Sequence, residues 1–421
     1  MKITNESYEL MSFFVKHICL TPLKQTKKTD SLLTKLYEEI MDSFTYIQNI
    51  KSKMGTSFYK LKISNITNVN QIPKPSTFPP NAFPASVRKH IDDHLLSLLK
   101  YSFRFPSGGR EVHIYFTTED SNPEELIELY NNYVDYMLVW LHIIDSYASR
   151  SCSTQLSIFI YHTNLLKELP TTNIEILDEG NVNTAFTRTC VKNSEIVIFR
   201  KEEWFKSFLH ETFHNLGLDF SDMNNSLCNL KILSIFPVNS EVNLFESYTE
   251  FWARIMNILF CSFVSIKNKN DVNEFLSNFE VFINFERMYA FFQVVKVLNF
   301  MGISYKDLID KTPYSDNIRK TLYIENTNVL SYYIITLILL NNYQEVLNWC
   351  NNNNTSLLQF KKTTSNLESY CNFIEKKYKT KNLLDGISCT EKLLLKLNKK
   401  QKKNNIIYLL KNLRMTICEL G

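Results

Sequence analysis

Apolar positions recur at helical spacing over the first 60 residues: Leu10, Phe13, Phe14 and His17, then Leu32, Leu33, Leu36 and Ile40. Steps of three and four place such positions on one helix face, so residues 1–62 are read as an N-terminal helical region. The pattern then breaks. Five of the eleven prolines (Pro73, Pro75, Pro79, Pro80 and Pro84) fall within residues 63–88. Proline lacks the N–H that helix and sheet both use, so this segment is expected to be an extended connector. A helix is expected to resume at Ser86 and run through SVRKHIDDHLLSLLKYSF, with SGG at 107–109 as a turn. Residues 111–117 (EVHIYFT), 155–162 (QLSIFIYH), 183–189 (NTAFTRT) and 195–200 (EIVIFR) read as strands. A long helical pattern covers 123–148, with Pro123 near its start, where the fixed φ of the ring is favourable. From residue 202 onward helical spacing dominates, over 202–216, 243–265, 272–298 and 328–340. The order predicts an α+β fold whose sheet region, residues 89–266, is followed by a helical C-terminal region, 267–421.

Composition narrows the function classes. At roughly 100–200 residues per domain, 421 residues suggest two or three domains. Lys and Arg number 47 against 43 Asp and Glu, a net charge of +4, which excludes a general polyanion binder. Only 8 glycines are present, and neither G-x-G-x-x-G nor a Walker pattern occurs, so a glycine-rich phosphate loop is excluded. Asparagine, roughly one residue in ten, reflects an AT-rich genome rather than a chemistry. The longest apolar runs, 258–266 and 329–340, fall short of the ~20 residues of a membrane span. The N-terminus MKITNESYELMSFFVKHICL lacks the pattern of a signal peptide. A soluble, cytoplasmic, non-secreted protein is expected. Its nine cysteines (Cys19, Cys152, Cys190, Cys228, Cys261, Cys350, Cys371, Cys389 and Cys418) are scattered and form no C-x-x-C, so reduced buried thiols are expected. Lys399, Lys400, Lys402 and Lys403 read as a solvated helix end, and with no helix-turn-helix or zinc finger no specific nucleic-acid partner is expected.

One segment carries chemistry. In WFKSFLHETFHNLGLDF, residues 204–220, His210-Glu211-Thr212-Phe213-His214 is an H-E-x-x-H pattern, whose chance occurrence at this composition is on the order of 1 in 100. On a helix the two histidines lie one turn apart on one face and can share a metal, while Glu211 sits about 100° around, where a general base belongs. Phe205, Phe208, Leu209 and Leu216 would bury the helix, Glu202 and Glu203 are expected in its first turn, and Gly217 follows as a C-cap. A catalytic zinc needs a third protein ligand. The pattern that continues H-x-x-G-x-x-H/D puts Phe220 at the ligand position, with Asp219 and Asp222 out of register. No histidine follows His214, so a carboxylate on a later helix remains. In NLFESYTEFWARIMNI, Glu246 and Glu250 are four residues apart on one face.

H-E-x-x-H followed by E-x-x-x-[DE] on a second helix resembles the gluzincin branch of zinc metallopeptidases, over residues 183–254. The Arg-Lys-Glu-Glu-Trp run leading into HETFHNLGLDFSD also resembles uncharacterised metallopeptidase-like proteins of large DNA viruses. The resemblance implies a zincin-like core, a small mixed sheet packed on the H-E-x-x-H helix. It implies one catalytic Zn²⁺ held by His210, His214 and Glu246, with Glu250 accepting a hydrogen bond from His210; exchanged roles for the two acids stay open. Glu211 would take the proton of the zinc-bound water that attacks a peptide or protein substrate. Asn183–Thr189 resembles the substrate-binding edge strand of the thermolysin-like enzymes, which points to Asn183 and Ala185. The oxyanion donor is expected to be a tyrosine, with Tyr248, Tyr289 and Tyr305 as candidates. The alternative is a catalytically silent zincin-fold structural or host-interaction protein; such sites usually lose the glutamate or a ligand, and here all are present.

Overall fold

The alternating segments of the sequence all join one sheet. The computed structural model describes residues 1–55, 58–105, 109–399 and 404–421, so Ser107 and Gly108 of the expected turn, and Lys400, Lys402 and Lys403, lie outside the described residues. Helices α1 (Asn5–Lys16) and α2 (Lys27–Met54) each start at a threonine, Thr4 and Thr26, whose hydroxyl accepts a backbone N–H of the first turn. There follow β1 (Lys60–Asn65), α3 (Ala85–His94), β2 (Ser97–Arg104), β3 (Glu111–Thr118), α4 (Ile127–Asp145) and β4 (Gln155–His162). A single turn α5 (Glu179–Val182) leads to β5 (Ala185–Thr187), β6 (Asn193–Ile198) and α6 (Trp204–Asn215). The strand order is β1-β2-β3-β4-β6-β5. Strands β3, β4 and β6 run parallel, and β1, β2 and β5 are antiparallel to their neighbours, so the sheet is mixed and the fold is α+β.

The two faces of the sheet are covered differently. Ile114, Phe116, Ile158, Ile160 and Ile198 join the main core with α4 and α6. Phe159, Tyr161, Val197 and Phe199 face the other way and meet Ile72, Phe83, Val87 and Ile91. The proline-rich connector, with short 3₁₀ turns at Val69–Gln71 and Pro80–Ala82, is therefore a cover for the sheet as well as a link.

Two local expectations fail. The helix resuming near Ser86 ends at His94, and residues 97–104 form β2. Within SLLKYSFR burial alternates, with Ser97, Leu99, Tyr101 and Phe103 inward, so pairing with β1 and β3 overrides the helix-favouring leucines and lysine. Strand β1 begins inside the region read as helical; Lys60 and Lys62 alternate outward along it, as suits a sheet edge. The strands expected at 183–189 and 195–200 form at Ala185–Thr187 and Asn193–Ile198.

The remaining elements are helical: α7 (Ser226–Ile235), α8 (Leu244–Ser265), α9 (Val272–Phe300), α10 (Tyr305–Ile309), α11 (Pro313–Leu322), α12 (Thr336–Asn341), α13 (Tyr343–Asn353), α14 (Thr364–Lys377), α15 (Lys381–Asn398) and α16 (Asn404–Lys411). A π-helical turn, Leu330–Ile335, runs directly into α12. Among the described residues no helix is long and apolar enough to cross a membrane. The last residues, 413–421, form a buried strap whose end exchanges backbone hydrogen bonds with the start of the chain, Lys2 N to Gly421 O at 3.0 Å and Gly421 N to Lys2 O at 2.9 Å. Not all cysteines are reduced: Cys19–Cys389 and Cys152–Cys190 are disulfides, with Cα separations of 5.5 and 4.4 Å. Their partners lie far apart in sequence but close in the fold, which spacing along the chain does not reveal.

Candidate metal centre

Helix α6 is enclosed along its whole length, all twelve residues being buried. Trp140 Nε1 of α4 donates to Thr212 Oγ1 at 2.7 Å, and α8 packs along it. Both ends are fixed. Gly217 adopts φ +67°, and the pair Gly217 N to His214 O (3.0 Å) and Leu218 N to Phe213 O (2.9 Å) closes a Schellman cap. Glu202 and Glu203 precede the first turn instead of lying in it. Glu203, with φ +58°, accepts from Lys167 Nζ at 2.8 Å and from the N–H groups of Met415 and Thr416 at 2.8 and 2.6 Å.

The two histidines converge with the first acid of α8. Among the described residues, His210, His214 and Glu246 are the one group of three or more His, Cys, Asp or Glu residues placed to hold a metal. The His210 and His214 Nε2 atoms are 3.1 Å apart, and Glu246 Oε2 lies 3.1 and 3.2 Å from them. The outer nitrogens are held as well. His210 Nδ1 is 3.0 Å from Glu250 Oε2, and His214 Nδ1 meets Asp219 Oδ2. Glu250 is in turn gripped by Lys206 Nζ at 3.0 and 3.1 Å. Asp219 accepts from Thr249 Oγ1 at 3.2 Å and from the Ser221 N–H and hydroxyl at 3.0 and 2.8 Å. Asp222 is far from this constellation in role, forming a surface pair with Lys362 at 2.8 Å.

These contacts test whether a metal fits. Two carboxylates accept from the Nδ1 atoms, so each imidazole carries its proton there and turns a lone pair inward. Two such lone pairs and a carboxylate oxygen within 3.2 Å of one another repel unless a cation or extra protons lie between them. Donors at about 2.0–2.1 Å from a tetrahedral zinc stand about 3.3 Å apart, close to what is found. The electrostatics agree. Burial opposes charge on both imidazoles, yet Glu246, with Glu250 at His210 and Asp219 at His214, raises both above the ordinary histidine value. Burial likewise pushes the Glu246 carboxyl up, but the imidazoles outweigh it and hold it far below the usual range. At Glu250, Lys206 and His210 overcome burial and bring the carboxyl to about 2.

A cleft opens beside the cluster, lined by His210, Glu211, Asn183, Ala185, Ser207 and Tyr332 among others. Glu211 is buried at its wall, and burial pushes its carboxyl up against the pull of His210 and His214. Ala185 opens β5, the terminal strand of the sheet, and Asn183 lies two residues before it, at the end of α5. The three tyrosines considered as oxyanion donors point elsewhere. Tyr248 donates to Leu358 O, Tyr289 to Asn412 and Tyr305 to Tyr378 O, and all are buried. Tyr332 lies nearer: it lines the cleft, its ring centroid is 5.9 Å from that of His210, and it sits in the π-helical turn. Sequence reasoning missed Tyr332, because nothing in its spacing ties it to residue 210. Asp219 was visible only as a ligand out of register, and Lys206 only as a helix residue one turn before His210.

Compared with family models, with curated proteins and with solved structures, the chain matches none.

Proposed function

We propose that this protein is a zinc-dependent peptidase of gluzincin type, built on a zincin-like core. The observation that carries the reading is the meeting of His210 Nε2, His214 Nε2 and Glu246 Oε2 within 3.2 Å, beside a cleft walled by Glu211. His210, His214 and Glu246 would hold the ion. When bound, zinc supplies a Lewis acid and a water acidified to a pKa of about 7. Glu250 and Asp219 fix the imidazole tautomers and keep the Nε2 lone pairs directed inward. Glu211 takes the proton of the attacking water and delivers it to the departing amine. Tyr332 donates its phenol hydrogen as negative charge develops on the scissile carbonyl oxygen. Asn183 and the β5 edge bind the extended peptide backbone in the manner of an added strand.

The test is Glu211→Gln in the full chain. Zinc content, measured by elemental mass spectrometry, should stay at one per chain, while hydrolysis of a peptide library falls by about 10²–10⁴. Unchanged turnover would remove Glu211 from its role. Wild-type protein that binds no zinc would remove the reading altogether.

A further inference from the structure

Eight of the nine cysteines stand in spatial pairs. Two pairs are the disulfides Cys19–Cys389 and Cys152–Cys190. In the third, Cys228 on α7 and Cys371 on α14 lie beside each other where the two helices pack. Cys228 Sγ also lies 3.5 Å from the carbonyl oxygen of Leu367, one turn before Cys371. In the fourth, Cys261 on α8 and Cys418 on the C-terminal strap meet in the same way. Asn257, one turn before Cys261, donates through Nδ2 to the Cys418 carbonyl oxygen at 2.6 Å, which fixes the two segments side by side. Cys350 alone has no sulfur partner, lying beside Trp252 and Asn354. At the packing density of protein interiors, nine cysteines spread at random through a chain of this length would make about one pair. Four separate pairs with one cysteine left over is the arrangement of a chain selected for pairing.

We propose that Cys228–Cys371 and Cys261–Cys418 are two further disulfide sites, so that the mature protein carries four disulfides and a single thiol. Each closure forms one S–S bond and releases two protons and two electrons. The electrons reduce the disulfide of an exchange partner, for which oxidised glutathione is the simplest representative, to two thiols. All four sulfur-bearing residues are buried, so closure takes place while the chain folds, before α14 covers α7 and the strap covers α8. The Cys261–Cys418 bond would have a direct bearing on the site. Helix α8 carries Glu246 and Glu250, and the strap carries Met415, which lines the cleft and whose N–H is held by Glu203.

The full chain, refolded in a buffer of reduced and oxidised glutathione, can be unfolded in iodoacetamide without reductant and mapped by mass spectrometry. All four linked peptide pairs are expected, with an adduct on Cys350 alone. In Cys261→Ser an additional adduct should appear on Cys418 while the other three links persist, and Cys418→Ser should give the reciprocal result on Cys261. Adducts on Cys228, Cys371, Cys261 or Cys418 in the unsubstituted chain, or any link joining different partners, would overturn the proposal.

Discussion

At the scale of single residues, the proposed mechanism separates groups that touch the reacting atoms from groups that hold them in place. Tyr332 belongs to the first kind. It lines the cleft with Glu211, and Tyr332→Phe removes the hydroxyl while leaving the ring against His210. A donor that acts on developing charge contributes to kcat rather than to substrate binding, so kcat should fall by about 10²–10³ with KM and zinc content unchanged. A matching rise in KM would instead make Tyr332 a substrate-binding group. Asp219 belongs to the second kind. It meets only His214 Nδ1 in the cluster and is itself fixed by Thr249 and Ser221. Asp219→Asn should weaken zinc affinity about 10–100-fold, read by competition with a chelator, and activity should recover when zinc is raised to saturation. The pair His210 and His214 was legible because ligand spacing on a helix is local. Asp219 was not, because it meets the outer nitrogen of His214, a contact that no ligand spacing specifies.

At the scale of elements, legibility followed how far a residue's partners lie along the chain. Helices α6 and α8 declared themselves, since a helix pattern is set by neighbours three and four residues apart. Strand β2 did not: SLLKYSFR is as good a helix as a strand until β1 and β3 flank it. One close helix contact was equally hidden. Gly386 in α15 faces α9, and a Cβ built there would stand 2.6 Å from Phe291 Cε1 and 2.7 Å from Leu20 Cδ2. Alanine in place of a mid-helix glycine ordinarily adds about 1 kcal/mol of stability. Here overpacking costs about 1–3 kcal/mol, because the Phe291 ring is fully enclosed and cannot withdraw. Gly386→Ala should therefore be neutral to clearly destabilising in urea unfolding, and a gain of stability would show that α15 slides freely on α9. Cys389 follows one turn later, so the same variant should also strain the approach of Cys19.

At the scale of the whole molecule, the strap 413–421 joins what the sequence suggests are separate regions. Buried glutamates reach it from both sides, Glu203 at Met415 and Thr416, and Glu286 at Thr416 and Ile417. A charged cluster so far from water makes global stability depend on pH, and Glu202 shows the sign most clearly. It is 7% exposed, accepts the Lys167 N–H at 2.7 Å, and lies near Glu203 and Glu419 as well as Arg414. Burial is the chief cause that raises its carboxyl to about 7; Arg414 opposes the shift and Glu203 adds to it. In the unfolded chain the same group titrates near 4.5. The folded state therefore binds the proton more tightly. Its contribution is fully present below pH 4, declines as pH rises through the interval up to 7, and is gone above it. A raised pKa of this size corresponds to about 3 kcal/mol between the two ends of that interval. Glu202→Gln keeps an oxygen for the Lys167 N–H but cannot ionise. Measured by urea unfolding, the variant should match wild type near pH 4 and exceed it by up to about 3 kcal/mol at pH 8.5. A constant difference across that range would mean that Glu202 is ionised in the folded protein throughout, with Arg414 neutralising it in place of a proton.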